Sequence, residues 1–342
     1  MQDAIEGETM YQAGDIIALN ASAWRLRAPL AASSYGVLWQ AESCNGGAPA
    51  ALKLVNVEQM TLAMPPQRAC WTRCAAVETG ILRSLQPWDR RHIVALLDSC
   101  EHLGQPALAL ELLEGDLARH LDALAGRGDS VGFSQALDWI TQVNSALAKL
   151  HQYGWRHLDL KPSNLLLGDG GATLKLADFG TSRALAERAP HAYSGTASWQ
   201  APEQFFPHEG QSGGYRTDAR ADYFALGALF YRLVTSKLLR YAETCAAAYR
   251  EHGGDGAARL RALHGGALPP VLEAEEAALF LQNATRQGDA NAAGAEAALI
   301  LLRTLLAPRP EGRPRHALEI SRLLARAGAG LGCALPPLRS AA

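Results

Sequence analysis

Long hydrophobic runs are missing from this chain of 342 residues. The longest apolar stretches, around Phe224–Tyr231 and Ala297–Leu302, fall far short of the roughly 18–20 residues a membrane-spanning helix needs. A surplus of one charge is missing too: 32 Lys and Arg stand against 34 Asp and Glu, a formal net charge of −2. Coating a phosphate backbone requires a basic stripe, so nucleic acid is not an expected partner. Aromatic residues make up only 7% of a chain that is 48% hydrophobic, which leaves Ala and Leu to build the core. At 19% charged, bulk disorder is not expected. The first residues, Met1-Gln2-Asp3-Ala4-Ile5-Glu6, lack a basic region followed by an apolar one. No secretory leader is therefore expected, and a cytoplasmic location is. Cys44, Cys70, Cys74, Cys100, Cys245 and Cys333 have no paired rhythm and read as reduced core thiols. Cys70 and Cys74 lie one helical turn apart, but nothing nearby supplies two further zinc ligands. There is no Gly-x4-Gly-Lys-Ser/Thr run and no His-Glu-x-x-His pair, which excludes a P-loop ATPase and a zincin.

What is present divides the chain in two. Trp24–Leu30, Val37–Glu42, Ala50–Val57, Ile93–Ser99 and Pro106–Glu111 read as strands, with Asn45-Gly46-Gly47 as a turn. Pro65-Pro66 opens a helix that runs to about Leu85, where Gln86-Pro87 stops it. From Leu117 onward helical periodicity dominates, and Ser134 reads as the N-cap of a helix ending near Gly154. Residues 240–300 are Ala- and Gly-rich and helical, with loops at His252–Gly256 and His264–Pro270. A strand-rich part followed by a larger helical part is an α+β pattern. The Gly-rich Gly328-Ala329-Gly330-Leu331-Gly332 follows a helix instead of a strand, so it is no dinucleotide fingerprint. Arg127-Gly128-Asp129 spells an adhesion tripeptide by chance.

The chemistry concentrates in His157-Leu158-Asp159-Leu160-Lys161-Pro162-Ser163-Asn164, followed after Thr173–Ala177 by Asp178-Phe179-Gly180. An acid to accept a hydroxyl proton, a lysine for phosphate charge, and Asn and Asp oxygens for a hard cation suit magnesium-assisted phosphoryl transfer. On a helix, Glu78 shares a face with Cys74, Ile81, Leu82 and Leu85. A carboxylate on that stripe is costly unless paired.

In this order the motifs resemble the protein kinase superfamily, serine/threonine branch, over roughly residues 22–325. The resemblance implies a bilobal fold, with a small β-rich N-lobe and a larger helical C-lobe. It divides the chain into an N-terminal extension over 1–21, a kinase domain over 22–325 and a flexible tail over 326–342. Within the domain it implies an N-lobe of about 22–109, a hinge over 110–116 and a C-lobe over 117–325. It places Lys53 of Ala51-Leu52-Lys53 on the ATP phosphates with Glu78 as partner, Asp159 as base and Lys161 as γ-phosphate clamp. Thr196 then bridges Asp159 and Lys161, while Asn164 and Asp178 hold Mg²⁺, for which Mn²⁺ can substitute. Leu38, Ala51 and Leu166 enclose adenine, Leu110 is the gatekeeper, Glu111–Leu113 the hinge, and Asp116 lies at the ribose. Leu82, Leu96, His157 and Phe179 stack as a spine anchored by Asp222. Ala201-Pro202-Glu203 closes the activation loop, with Glu203 paired to Arg313.

Two departures qualify that reading. Ala31, Ser33 and Gly36 stand where three glycines are usual, which weakens nucleotide binding because a Cβ intrudes on the phosphates. Tyr35 keeps the loop-tip aromatic. Leu158 replaces the arginine that normally binds an activation-loop phosphate, and Ala192, four before Thr196, cannot carry one. The expected activity is a serine/threonine protein kinase independent of phosphorylation at that site, although Tyr193, Ser194 and Ser198 offer nearby hydroxyls. A pseudokinase scaffold and a small-molecule kinase are the rivals. Ser163 before Asn164 gives no support for a preference for basic peptides. The 240–300 stretch is either a dock for a regulatory partner or a solvated elaboration.

Overall fold

Apolar alternation in the first part of the chain builds one antiparallel sheet. The computed structural model describes residues 11–32, 36–208, 214–286 and 291–329; Ser33, Ser34, Tyr35, Cys333 and the end of the tail lie outside them. The sheet has the order β1-β2-β3-β4-β6-β5. Its strands are β1 (Ile16–Ala18), β2 (Ala23–Ala32), β3 (Gly36–Ser43), β4 (Ala50–Val55), β5 (Leu96–His102) and β6 (Gln105–Glu111). Trp24, Leu26, Val37, Trp39, Leu52 and Leu54 alternate onto one buried face. Tyr11 and Ile17 join that same core, and Ile16–Ala18, within the segment expected to be an extension, pairs with β2 as part of the sheet. The register of β2 against β3 shifts on either side of Pro29, which has no N–H to give to the ladder.

The third strand stops at Val55, short of the expected Val57. Asn56 accepts from the Gln59 N–H and so caps a short helix, α1 (Val57–Leu62). Next, α2 (Pro65–Ser84) begins at the proline pair and ends before Leu85. The fourth expected strand begins at Leu96 instead of Ile93, because the chain still turns through the short Pro87–Arg91 helix.

The chain divides into two units: one runs up to Glu114 and includes Asp178–Gly180, the other comprises Gly115–Ala177 and the residues from Thr181 on. The second unit opens with β7 (Gly115–Asp116), α3 (Leu117–Gly126) and α4 (Phe133–Gln152). Gly132 is the N-cap residue of α4, so Ser134 falls inside its first turn, a correction of two residues. β8 (Trp155–Arg156), β9 (Leu165–Gly168), β10 (Thr173–Leu176) and β11 (Arg183–Ala184) form two small sheets, β10-β9-β7 and β11-β8. The remaining helices are α5 (Pro202–Phe205), α6 (Arg220–Thr235), α7 (Arg240–His252), α8 (Gly256–Leu263), α9 (Ala274–Arg286), α10 (Ala292–Leu305) and α11 (Ala317–Gly328). The expected loop at 252–256 is thus a helical turn, and α11 continues into the segment expected to be tail. α6 is buried along nearly its whole length, and a Cβ on Gly227 would lie 2.8 Å from the Leu305 Cβ, so glycine lets α10 close on it. The fold class is α+β, a β-rich unit and a helical unit.

Of the cysteines described, only Cys245 is buried; Cys44 and Cys70 are exposed and Cys74 and Cys100 partly so. The expectation of core thiols therefore holds for Cys245 alone. Among the described residues no helix is long and apolar enough to cross a membrane.

Candidate active site

In the β-rich unit, β4 carries Lys53 and α2 carries Glu78. Lys53 Nζ donates to Glu78 Oε2 at 2.6 Å and to Asp178 Oδ1 at 3.1 Å. Glu78 is 1% exposed, on a face with buried Ala75, Ile81 and Leu82. Burial pushes its carboxyl above the ordinary range, and the Lys53 ammonium pulls it back. Asp178 has φ +61°, a left-handed backbone that few non-glycine residues hold, and its side chain is 41% exposed. The Lys53 ammonium thus bridges a buried carboxylate and an open one.

In the helical unit, the loop after β8 brings a second set together. Lys161 Nζ donates to Asp159 Oδ2 and to Thr196 Oγ1, both at 2.8 Å. The Thr196 hydroxyl donates to Asp159 Oδ1, also at 2.8 Å. Asn164 Nδ2 donates to the Asp159 carbonyl at 2.9 Å and to Oδ2 at 3.3 Å, and its amide oxygen takes part in neither bond. The loop is fixed from behind by Asp222 on α6. That carboxylate accepts the successive N–H groups of His157 and Leu158 at 2.8 and 2.7 Å, and lies 2.9 Å from His151 Nε2. Burial acts to raise the Asp222 pKa, but these hydrogen bonds and the nearby His151 and His157 outweigh it and hold it below the ordinary carboxylate range.

Residues 30–321 match the family model for the protein kinase domain. The chain belongs to the protein kinase family. It is 31% identical over 242 residues to the serine/threonine-protein kinase PknL of Mycobacterium tuberculosis, covering 68% of this chain and 58% of that protein. It is 29% identical over 195 residues to human mitogen-activated protein kinase kinase kinase 7, covering 56% of this chain and 29% of that protein. The chain thus spans a little over half the length of its mycobacterial relatives.

The other residues the kinase resemblance singled out are placed as follows. Ala31 is exposed and pairs with Leu38; Gly36 opens β3; Ser33 lies outside the described residues. Leu38 pairs with Lys53 and Ala51 with Leu110, all on adjacent strands of the sheet. Glu111 is tied to Ala95 twice, donating its N–H at 3.0 Å and accepting on Oε1 at 2.8 Å. Its side chain is therefore structural. Leu113 is half-buried. Leu166 pairs with Asp116 in the second unit, and Asp116 accepts the Arg119 N–H at 3.0 Å, acting as N-cap of α3. His157 is fully buried with its Nε2 3.1 Å from the Ala177 carbonyl; Phe179 is fully buried and Leu82 nearly so, while Leu96 is half-buried. Glu203 and Arg313 meet in a two-pronged pair at 2.6 and 2.8 Å, and the arginine side chain is wholly buried.

Several residues of this arrangement were not singled out from the sequence. Gln204 Nε2 donates to the Leu158 carbonyl at 2.8 Å. Arg156 is 1% exposed and clasps the Ala184 and Glu187 carbonyls and Thr217 Oγ1 at 2.7, 3.2 and 3.0 Å. His191 bonds Thr217 Oγ1 at 3.0 Å and the Ala192 carbonyl at 2.8 Å. The Ala192 carbonyl can only accept, so Nδ1 carries a proton, and burial favours the neutral ring, whose Nε2 then accepts from the Thr217 hydroxyl. Tyr193, one of the loop hydroxyls noted in the sequence, stacks on Tyr249 of α7 at 4.6 Å and 11°. The Gln204 and Arg156 contacts depend on partners far along the chain.

Proposed function

We propose that the chain is a serine/threonine protein kinase that transfers the ATP γ-phosphate to protein hydroxyls. The observation that carries this is the closed ring of Asp159, Lys161 and Thr196, three polar groups held within hydrogen-bond distance of one another. Asp159 accepts the proton of the attacking hydroxyl. Its carboxylate is oriented by Lys161 and Thr196, and Lys161 also supplies positive charge for the transferred group.

The donors present fit ATP and Mg²⁺. Asp178 and the Asn164 amide oxygen are hard oxygen ligands, and Mg²⁺ is commonly held by one or two such groups together with phosphate oxygens. Mn²⁺ suits the same set. Among the described residues no cluster of three or more His, Cys, Asp or Glu side chains could hold a metal, so the proposal rests on this smaller set. Bound ATP and its cation supply the phosphoryl group and neutralise its charge. Lys53, fixed by Glu78, takes the phosphates; Leu38, Ala51 and Leu166 flank adenine; the backbone of Glu111–Leu113 is its hydrogen-bonding edge. Asp116 keeps its capping bond while serving the ribose.

The proposal extends to regulation. Leu158 and Ala192 offer neither receptor nor phosphate, and the loop from Arg183 to Tyr193 is instead tied by Arg156, His191 and the tyrosine stack. Activity is therefore independent of a phosphate at the activation-loop position that Ala192 occupies. The substrates are proteins, met in the cytoplasm.

Incubation with Mg-ATP and a generic protein acceptor tests the assignment. Phosphotransfer is expected, with a loss of about 10²–10⁴ in Asp159→Ala. No transfer and no nucleotide-dependent rise in Tm would favour the scaffold reading, which the exposed Ala31 in place of a loop glycine supports.

A further inference from the structure

Away from the catalytic loop, the helical unit holds a second cleft, of about 460 Å³. It opens beside Pro202–His208, the end of α8 and the turn before α11. Arg216, Arg261 and Arg309 line it together with His208. Glu203 is the one carboxylate among its described lining residues, and both its oxygens are bound by Arg313. The cleft therefore concentrates positive charge in a chain whose net charge is −2. Such a concave cationic surface focuses its field on an incoming anion.

Its geometry narrows the kind of anion. The Arg261 guanidinium lies over the Phe206 ring, 5.5 Å from its centroid, which restrains the plane of its donor fork. Arg216 and Arg309 are exposed at the rim. Guanidinium forks match phosphate oxygens two at a time. The remaining wall is apolar and stiff, with four prolines and Leu268. A free phosphate would leave that wall bare, whereas a peptide can place a phosphate among the arginines and lay apolar side chains along the prolines.

We propose that this cleft docks a phosphorylated, acidic peptide segment of a partner or substrate protein. Arg216 and Arg309 grip the phosphate, Arg261 on its Phe206 platform fixes the approach, and the proline wall takes an apolar residue beside it. Recognition of phosphorylated segments by arginine clusters needs no catalytic chemistry, so docking stands or falls apart from the kinase reading.

The test is binding of a fluorescein-labelled nonapeptide, one phosphoserine flanked by Glu and Leu, to the full chain without nucleotide. Saturable binding is expected, weakened at least about tenfold in Arg216→Ser/Arg309→Ser, as the loss of one charge-assisted hydrogen bond requires. Arg309→Gln alone, read beside it, should weaken binding in the same direction. Both variants should keep the wild-type Tm and wild-type turnover of a short acceptor peptide. The proposal is overturned if the unphosphorylated peptide binds equally well, if the variants bind like wild type, or if inorganic phosphate displaces the peptide at the peptide's own Kd. Equal affinity for a single-stranded oligonucleotide of the same charge would also overturn it.

Discussion

Glu78 is a carboxylate with almost no water around it, and Lys53 is what makes it tolerable there. Removing one partner of a buried pair leaves the other uncompensated, at a cost of about 3–5 kcal/mol, and Lys53 is open enough to keep the loss near the low end. Lys53→Met should therefore lower stability to urea by about 3 kcal/mol near neutral pH. The loss should shrink on acidification, because the already raised Glu78 carboxyl takes up a proton and becomes neutral. Adding Glu78→Gln to Lys53→Met should recover most of it; a double mutant no more stable than the single would refute this account. Gly195 is a second position where one atom decides. Its φ is +99°, and a Cβ there would lie 2.7 Å from the Leu158 carbonyl. Gly195→Ala should cost about 1–3 kcal/mol in thermal unfolding and displace Thr196 from Asp159, with a matching fall in phosphotransfer.

At the scale of elements, caps and buried loops carry the consequences. Asn56→Ala should destabilise by about 1 kcal/mol through loss of the α1 cap, whereas Ser134→Ala should stay within about 0.5 kcal/mol. Chemical denaturation of the two variants separates a true cap from a residue in the first turn. The loop from Arg183 to Tyr193 should loosen in acid. Burial lowers the His191 pKa below the ordinary 6.5, with Arg183 and Arg156 acting the same way and the Ala192 carbonyl opposing. A histidine harder to protonate when folded contributes stability above its unfolded pKa, and that stability is lost as pH falls from about 6.5 toward the folded value. Hydrogen exchange over 183–193 should quicken across that window in wild type and lose the pH step in His191→Gln. The strands and α2 were legible because alternation and proline boundaries are local signals. α1 was not, because Asn56 reads equally well as the end of a strand until its side chain is seen to turn back onto Gln59. Arg156 and Gln204 escaped for a different reason: they bond to backbone carbonyls tens of residues away, and nothing local marks an acceptor.

For the molecule as a whole, the order of the chemical motifs was the strongest signal in the sequence. Lys53, Glu78, Asp159, Lys161, Asn164 and Asp178 come in a sequence that composition alone would not produce, and the structure brings them together in two sets, one in each unit. What order could not supply was the scaffolding, such as the cleft beside Glu203 or the role of Asp222 as acceptor for two successive amides. Arg313 is the clearest long-range tie. It binds Glu203 from 110 positions away, donates to the Ala307, Pro308 and Arg220 carbonyls, and lies 5.0 Å from the Phe224 ring centroid. Glu203→Gln removes the carboxylate charge facing a guanidinium that has no solvent, so a loss of about 3–5 kcal/mol is expected in calorimetry. Its effect on the Kd of a nucleotide analogue should be small, since neither residue is proposed to touch ATP.

Leu158 also limits how this loop can be altered. Its N–H is held by Asp222, its carbonyl by Gln204, its φ is +68°, and its side chain is 3% exposed. A position where the kinase resemblance expects a phosphate receptor is here a rivet of the loop. Leu158→Arg would put a guanidinium into an apolar, buried seat and lower stability. A phosphate receptor could not be built there by one substitution, because the seat around Leu158 would have to change with it.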